Sequence, residues 1–170
     1  MNNNDHEGLT MQKCGFIIHP TKGWLGASPD VKVLDPWSEE VGIAKFKCPY
    51  SKQDLSPLEA CADTKFCGEV VNGQFQLKRN HQYFHQVQLQ LYVSRDMHSF
   101  CDFCVYTPVE VAVERIYPCK EWEGTCIPHL EDYFKYMLPE IIDPLYKPNY
   151  FFVVVHCINC FTYLSCLVQL

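Results

Sequence analysis

Residues 41–48, VGIAKFKC, constrain the fold most, because they form an apolar run interrupted by lysines at alternate positions. The segment follows a turn sequence and ends at Pro49. Alternate side chains of an extended strand share a face, so Ile43, Lys45 and Lys47 point to the same side. We therefore expect a strand of the core that presents two ammonium groups on one face.

Length and composition describe a globular chain. Its 170 residues suffice for one domain with a sizeable core, and 48% apolar with 20% charged residues is typical of such domains. The net charge of −6 argues against a generally basic surface for nucleic acid, although it leaves room for a local basic channel. Strand and helix patterns intermix along the sequence, which favours the α/β or α+β class.

Residues 1–13 are polar and lack the apolar stretch of a secretory signal. We expect them to be a disordered lead-in, and we expect an intracellular protein of the nucleus or cytoplasm. The eleven cysteines are many for such a chain. Without an export signal, free thiols that serve as small core residues are a better interpretation than disulfides.

Residues at the ends of segments predict several local structures. Ser56, Pro57 and Glu59 have the spacing of a helix N-cap, a first helical position and a capping box. Asn72 and Gly73 predict a two-residue hairpin turn. Helices are predicted at 56–67 and 127–142, and strands at 14–20, 24–34, 41–48, 99–108 and 111–118.

Residues 80–94 fit two periods. Val87, Leu89 and Leu91 alternate as in a strand, whereas Tyr83, Val87 and Leu91 recur as on one face of a helix. Periodicity alone leaves both structures open.

Residues 149–170 contain no Asp, Glu, Lys or Arg and are about as long as a membrane-spanning helix. His156, Asn159 and Gln169 lower the hydrophobicity of the segment, which is also rich in β-branched and aromatic residues. Three interpretations stay open: a membrane anchor, buried strands, or a tail that belongs to no fold.

A series of motifs in a fixed order carries the strongest functional signal. Ser28-Pro29-Asp30 precedes Lys45-Phe46-Lys47, and a glutamine-rich element follows. The series resembles the PD-(D/E)xK nucleases, and most closely the YqaJ-like viral recombinase domain, the lambda-exonuclease-like group. The resemblance covers about residues 14–142. It implies a restriction-endonuclease-like α/β core, with a central mixed β-sheet flanked by helices, in a domain at 14–147.

The resemblance implies a magnesium site that hydrolyses DNA phosphodiesters in repair or recombination, because Mg²⁺ activates water and stabilises the leaving oxygen. Asp30 is expected to bind the metal with the carbonyl oxygen of Phe46, and Lys47 to be the catalytic lysine. The glutamine of the family corresponds to Gln86 or Gln88, which implies that 80–94 is largely helical. Relatives of this group can form rings around DNA, so a homo-oligomer is a further expectation.

Lys45 departs from the family pattern, because it stands where the resemblance expects a metal-binding acid. Exchanging a carboxylate for an ammonium changes the local charge by two units, and one unit interaction at about 4 Å is worth on the order of 4 kcal/mol. Lys45 would repel the metal and pair with Asp30 instead. Two explanations stay open beside an impaired exonuclease: an inactive DNA-binding module, and an incomplete chain that lacks the family's N-terminal helical segment.

Three further cations, Lys52, Lys78 and Arg79, are candidates for contacts with DNA phosphates, with a plain exposed charge as the alternative for each. His81 with His85 and Cys101 with Cys104 have spacings that occur in zinc sites. No third ligand follows the two histidines at a telling distance, and on a strand the two cysteine thiols would face opposite sides, so we expect no zinc. A membrane partner is expected only if 149–170 is an anchor.

Overall fold

The computed structural model describes residues 10–36 and 39–137. The chain divides after Pro118 into two compact units. The strands of the first unit are β1 (Thr10–Lys13), β2 (Ile17–Ile18), β3 (Gly26–Ala27), β4 (Val31–Leu34), β5 (Val41–Lys47), β6 (Gly68–Val71), β7 (Gln74–Leu77), β8 (Cys101–Tyr106) and β9 (Val111–Ile116). Its helices are α1 (Pro57–Ala60) and α2 (Gln82–Val93), with a 3₁₀ turn at Tyr50–Lys52.

Five of these strands form a central mixed sheet in the order β1-β4-β5-β8-β9. Strands β5 and β8 run parallel, and every other neighbouring pair in this sheet is antiparallel. Two small two-stranded sheets, β2-β3 and β6-β7, accompany it. The connection from β5 to β8 contains α1, the β6-β7 hairpin and α2, as a parallel pair requires a long crossover.

The centre of the sheet is buried. Val33, Ala44 and Phe100 form one cluster of buried residues, and Ile43 and Phe103 are fully enclosed. A Cβ atom on Gly42 would lie 2.3 Å from the Phe100 ring, so only glycine lets the ring approach β5 this closely. The core strand predicted at 41–48 is confirmed as β5.

The capping-box prediction is confirmed. The Ser56 Oγ accepts from the Glu59 N–H, and the Glu59 carboxylate accepts from the Ser56 N–H. The predicted length of that helix, 56–67, is wrong, because α1 ends at Ala60. Asp63 accepts from the Lys65 N–H through its side chain, a local hydrogen bond that favours a turn over a longer helix.

The hairpin turn at Asn72 and Gly73 is also confirmed. Both residues have positive φ, 52° and 77°, as the tight turn between β6 and β7 requires.

The predicted strand at 24–34 is wrong as a single element. Residues 26–27 pair with β2, whereas residues 31–34 belong to the central sheet. Pro29 has no N–H to donate to a strand neighbour, so the ladder is interrupted there. The predicted strand at 14–20 is reduced to Ile17–Ile18.

Helix α2 confirms the helical structure that the resemblance implied for residues 80–94. The side chain of His81 accepts from the Tyr83 N–H at the N-cap, and the helix ends before Ser94. Residues 87–93 are all buried. The strand-like alternation was misleading, because a helix buried on most sides also carries apolar residues at alternate positions.

The disordered lead-in predicted for 1–13 is wrong for its last residues, because Thr10–Lys13 form β1. This strand pairs antiparallel with β4, from Thr10 opposite Leu34 to Lys13 opposite Val31. Polar side chains are compatible with an edge strand whose four residues are all exposed.

The second unit contains α3 (Lys120–Asp132), followed by a π-helical turn at Tyr133–Met137. The helix predicted at 127–142 therefore begins too late. Glu121 and Glu123 lie in the first turn, where they complement the helix dipole. Pro128 inside the helix concealed its continuity, since proline is typical of helix starts rather than interiors.

The predicted end of the domain at 147 and the tail at 149–170 lie outside the described residues. Within residues 10–36 and 39–137, no helix is long and apolar enough to cross a membrane.

Candidate functional site

The register of two neighbouring strands brings Asp30 to Lys45. Val31 at the start of β4 lies opposite Ala44 of β5 in an antiparallel pair. The next positions along the two strands are Asp30 and Lys45, so the aspartate of the turn meets the lysine that replaces the expected acid. Sheet pairing, rather than closeness in sequence, therefore defines this pair.

Both oxygen atoms of Asp30 are engaged. The Lys45 Nζ donates to Oδ1 at 2.7 Å, and the Phe46 N–H donates to Oδ2 at 2.8 Å. Their side chains are 13% exposed for Lys45 and 34% for Asp30, so the ion pair is shielded on the lysine side. The expected pairing of Lys45 with Asp30 is confirmed. Phe46 approaches Asp30 through its N–H; a metal-binding role for its carbonyl oxygen stays a prediction.

Lys47 shares the face of Lys45 and reaches α2. Its Nζ donates to Gln86 Oε1 at 3.2 Å and lies 3.8 Å from the centre of the Tyr83 ring. Burial lowers the pKa of Lys47 below its usual value, and the nearby Lys45 ammonium lowers it further, whereas Asp30 acts in the opposite direction. Asp30, Lys45, Lys47 and Gln86 therefore form one group.

A second contact holds α2 against the turn that carries Asp30. The buried Gln90 donates from Nε2 to the carbonyl oxygen of Ser28 at 3.2 Å. Tyr92 stacks on His19 with ring centres 5.1 Å apart, which joins the same helix to the segment after β2. The Gln90 hydrogen bond positions the turn before Asp30, and sequence reasoning identified neither contact.

Gln88 has a different environment from Gln86. It is 1% exposed and donates from Nε2 to the Tyr117 carbonyl oxygen at 3.0 Å. Of the two glutamines predicted for the site, Gln86 contacts Lys47, whereas Gln88 lies in the core.

The three predicted phosphate contacts all have partners within the chain. The Lys52 Nζ donates to Asp63 at 2.6 Å, and Arg79 donates to Glu114 at 2.6 Å. The Lys78 Nζ donates to the carbonyl oxygens of Thr64 and Phe66, both at 2.8 Å. Their predicted role in binding DNA stays a prediction.

The donor set around Asp30 does not fit a magnesium ion. Mg²⁺ requires oxygen ligands in an octahedron, and this group offers one carboxylate whose oxygens already accept from Lys45 and Phe46. An ammonium 2.7 Å from that carboxylate repels a divalent cation. Within the described part of the chain, no group of three or more His, Cys, Asp or Glu side chains could hold a metal ion.

Tyr83 is a residue of the site that the sequence analysis did not single out for a functional role. Its ring lies beneath the Lys47 ammonium. Once 80–94 is taken as a helix, Tyr83, Gln86 and Gln90 recur at spacings of three and four and share a face, from which Gln88 is displaced. That spacing would have selected both Tyr83 and Gln86.

The fold is a mixed five-stranded sheet flanked by helices, with Lys45 and Lys47 of this group on β5 and Gln86 on α2. It resembles the crystal structure of an alkaline exonuclease, LHK-Exo, from Laribacter hongkongensis, with a TM-score of 0.56 and 22% sequence identity. The match covers 82% of this chain and 62% of the exonuclease chain, so this chain spans less than two thirds of that enzyme. The predicted fold class is confirmed. No protein-family model matches the sequence. No curated protein matches it either.

Proposed function

We propose that this chain is a YqaJ-like module that binds DNA at the Asp30–Lys47 group and does not cleave it. The ordered motif series and the fold shared with an alkaline exonuclease support a DNA ligand. The ion pair between Lys45 and Asp30 supports the proposed absence of cleavage.

The chemistry of hydrolysis explains why this ion pair matters. Cleavage needs an activated water and positive charge at the leaving oxygen, and in a carboxylate site a metal ion supplies both. Lys45 supplies a charge, but an ammonium cannot lower the pKa of a bound water as a metal ion does. Asp30 is occupied by Lys45 and Phe46, so it is not available as a base. The group therefore favours binding over catalysis.

The cations of the group favour a phosphate ligand. Lys45 and Lys47 lie on the same face of β5, and Asp30 is the carboxylate that pairs with Lys45. Lys52, Lys78 and Arg79 are proposed as secondary contacts. The ion pairs of Lys52 and Arg79 are partly exposed, and such pairs contribute about 0–1 kcal/mol and can exchange their partner for a phosphate. Lys78 donates to neutral carbonyl oxygens, so its charge is available to a phosphate.

A nuclease assay tests the proposal. Labelled linear duplex DNA is incubated with wild type, Lys45→Glu and Lys32→Glu in Mg²⁺. Lys32→Glu is the control, because it makes the same charge change at an exposed position of the neighbouring strand. We expect wild type to bind the duplex and leave it intact. Cleavage by wild type that Asp30→Ala abolishes would refute the inactive module.

The retained Asp30, Lys47 and Gln86 favour a second candidate, a magnesium-dependent exonuclease of DNA repair or recombination. This candidate requires Asp30 to separate from Lys45, because only then would the carboxylate be free to hold a metal ion. Wild type would then degrade the duplex in Mg²⁺ and not in EDTA. A gain of cleavage in Lys45→Glu alone would indicate that only the missing acid separates this chain from an active enzyme.

A further inference from the structure

The Lys45–Asp30 pair also indicates how DNA is held, provided that the proposed DNA-binding function is correct. We propose that the Lys45 ammonium replaces a divalent cation, so that Lys45 and Lys47 together bind a backbone phosphate of DNA without metal. The site would then differ from a damaged metal site, because its positive charge is built into the chain.

The charge of the group matches this role. The single negative charge of Asp30 and the two positive charges of Lys45 and Lys47 leave one net positive charge. A backbone phosphate carries one negative charge, so the occupied group would be neutral. Replacing Lys45 with glutamate would leave one net negative charge, and a divalent cation would then be needed to restore attraction for a phosphate.

The two ammonium groups retain donors for a ligand. Each ammonium has three N–H groups. Lys45 donates one to Asp30, and Lys47 donates one to Gln86 while it lies over the Tyr83 ring. Alternate residues of a strand are about 7 Å apart, so the two side chains can donate to oxygens of the same phosphate from different sides.

Asp30 is a positioning residue in this arrangement. It accepts from Lys45 through Oδ1 and is itself fixed by the Phe46 N–H through Oδ2. The Gln90 side chain holds the turn before Asp30 through the Ser28 carbonyl. The lysine head is therefore held in place before DNA arrives, which reduces the entropy lost on binding.

Fluorescence anisotropy with a labelled short linear duplex tests metal independence on the wild-type chain. Titrations are run in EDTA and in MgCl₂ at matched ionic strength. We expect the two dissociation constants to agree within about twofold, since Lys45 and Lys47 already supply the positive charge that a metal ion would otherwise provide. Binding that requires Mg²⁺ would overturn this inference and leave DNA binding intact. Absence of binding in both buffers would instead overturn the proposed function and this inference with it.

Variants at Lys45 assign the effect to this side chain. In EDTA, Lys45→Glu should weaken binding by about tenfold or more, and added Mg²⁺ should recover most of that loss. Lys32→Glu should lose less than about threefold and gain nothing specific from Mg²⁺. Equal losses in the two variants would refute a specific role for Lys45. In Lys45→Gln the charges of Asp30 and Lys47 cancel, so the group is neutral. This variant should bind DNA more weakly than wild type and should not respond to Mg²⁺.

Calorimetry in the absence of DNA gives an independent measurement. MgCl₂ or MnCl₂ is titrated into folded wild type and Lys45→Glu, with folding checked by circular dichroism. We expect binding of the metal only to the variant. Saturable binding of Mg²⁺ to wild type at Asp30, abolished by Asp30→Asn, would overturn the inference.

Discussion

The Lys45 ammonium lies 2.7 Å from Oδ1 of Asp30, so a lysine pairs with the carboxylate that the sequence resemblance predicts as a metal ligand. The contact follows from strand register, because Val31 opposes Ala44 and the next pair is Asp30 with Lys45. Replacing a metal-binding carboxylate with a neutral amide should weaken DNA binding. Replacing a carboxylate that pairs with a lysine should strengthen it, and this difference gives the first prediction.

Asp30→Asn should strengthen DNA binding severalfold in EDTA, because the substitution removes the only negative charge of the group and leaves both ammonium groups. The amide oxygen can still accept from Lys45, so the lysine stays positioned. A metal-binding Asp30 would show the reverse, a loss of binding in Mg²⁺. The free energy of unfolding should fall by about 1 kcal/mol, as expected for a partly exposed ion pair. Anisotropy and urea denaturation measure the two effects, with Asp54→Asn as a control for a general loss of negative charge.

The pH dependence of binding should report on Lys47. Burial and the neighbouring Lys45 lower the pKa of Lys47 in the folded protein. DNA affinity should therefore begin to fall at a pH below the ordinary lysine range. Lys47→Arg, whose guanidinium stays charged, should remove that fall. An identical alkaline profile in wild type and Lys47→Arg would show that another group titrates.

The stability of the free protein should change in the opposite sense over the same pH range. The folded state releases the Lys47 proton at a lower pH than the unfolded state does. Between these two pKa values the unfolded state binds more protons, so the free energy of unfolding rises with pH. Lys47→Met should lack this contribution, which urea denaturation at a series of pH values would detect.

The two glutamines of α2 should separate function from stability. Gln88→Ala leaves the Tyr117 carbonyl oxygen without its donor inside the protein and should cost about 1–3 kcal/mol of unfolding free energy. Gln86→Ala should change stability by less than about 0.5 kcal/mol and weaken DNA binding, because Lys47 loses its partner. Thermal denaturation and anisotropy on both variants check the assignment, and reversed effects would contradict it.

The parts of the fold that the sequence predicts are those with strong local signals. The capping box at Ser56 and Glu59 depends on side chains three residues apart, and the turn at Asn72 and Gly73 depends on backbone preference. Strand β5 combines alternation with a terminating proline. Each of these structures is determined within a few residues, so no knowledge of distant contacts is needed.

The remaining elements depend on contacts between distant segments. β1 has a polar sequence and becomes a strand only by pairing with β4. Helix α2 is buried on so many sides that its apolar residues no longer report a helical period. In the site, strand parity and charge predict the pairing of Lys45 with Asp30, and helical spacing selects Tyr83 once residues 80–94 are taken as a helix. The contact of Gln90 with the Ser28 carbonyl oxygen depends on how α2 packs.

Thiol reactivity should follow burial. Burial raises the pKa of the Cys67 thiol to about 11 and that of Cys104 to about 12, and it raises the pKa of Cys101 as well. The thiolate is the reactive form, so these cysteines should resist iodoacetamide at neutral pH. Cys48 is exposed and should be alkylated before these three. Peptide mapping by mass spectrometry measures the order, and early labelling of Cys101 would contradict the buried β8.

The last prediction concerns Arg115, which joins the edge of the sheet to the turn after β4. It donates to both oxygens of Asp102, at 2.8 and 3.0 Å, and to Asp35 at 2.7 Å, and its guanidinium lies 3.7 Å from the centre of the Phe100 ring. The two carboxylates raise its pKa above the usual arginine value, so it stays charged.

Arg115→Met should lower the free energy of unfolding by about 3–5 kcal/mol, because two largely buried carboxylates lose their counter-charge. Arg115→Lys should recover only part of that loss, since an ammonium cannot reproduce the two parallel hydrogen bonds to Asp102. Urea denaturation of the three proteins checks the order, with DNA affinity of the folded variants as the control. Full recovery by lysine would show that charge alone, rather than the geometry of the guanidinium, stabilises this corner of the sheet.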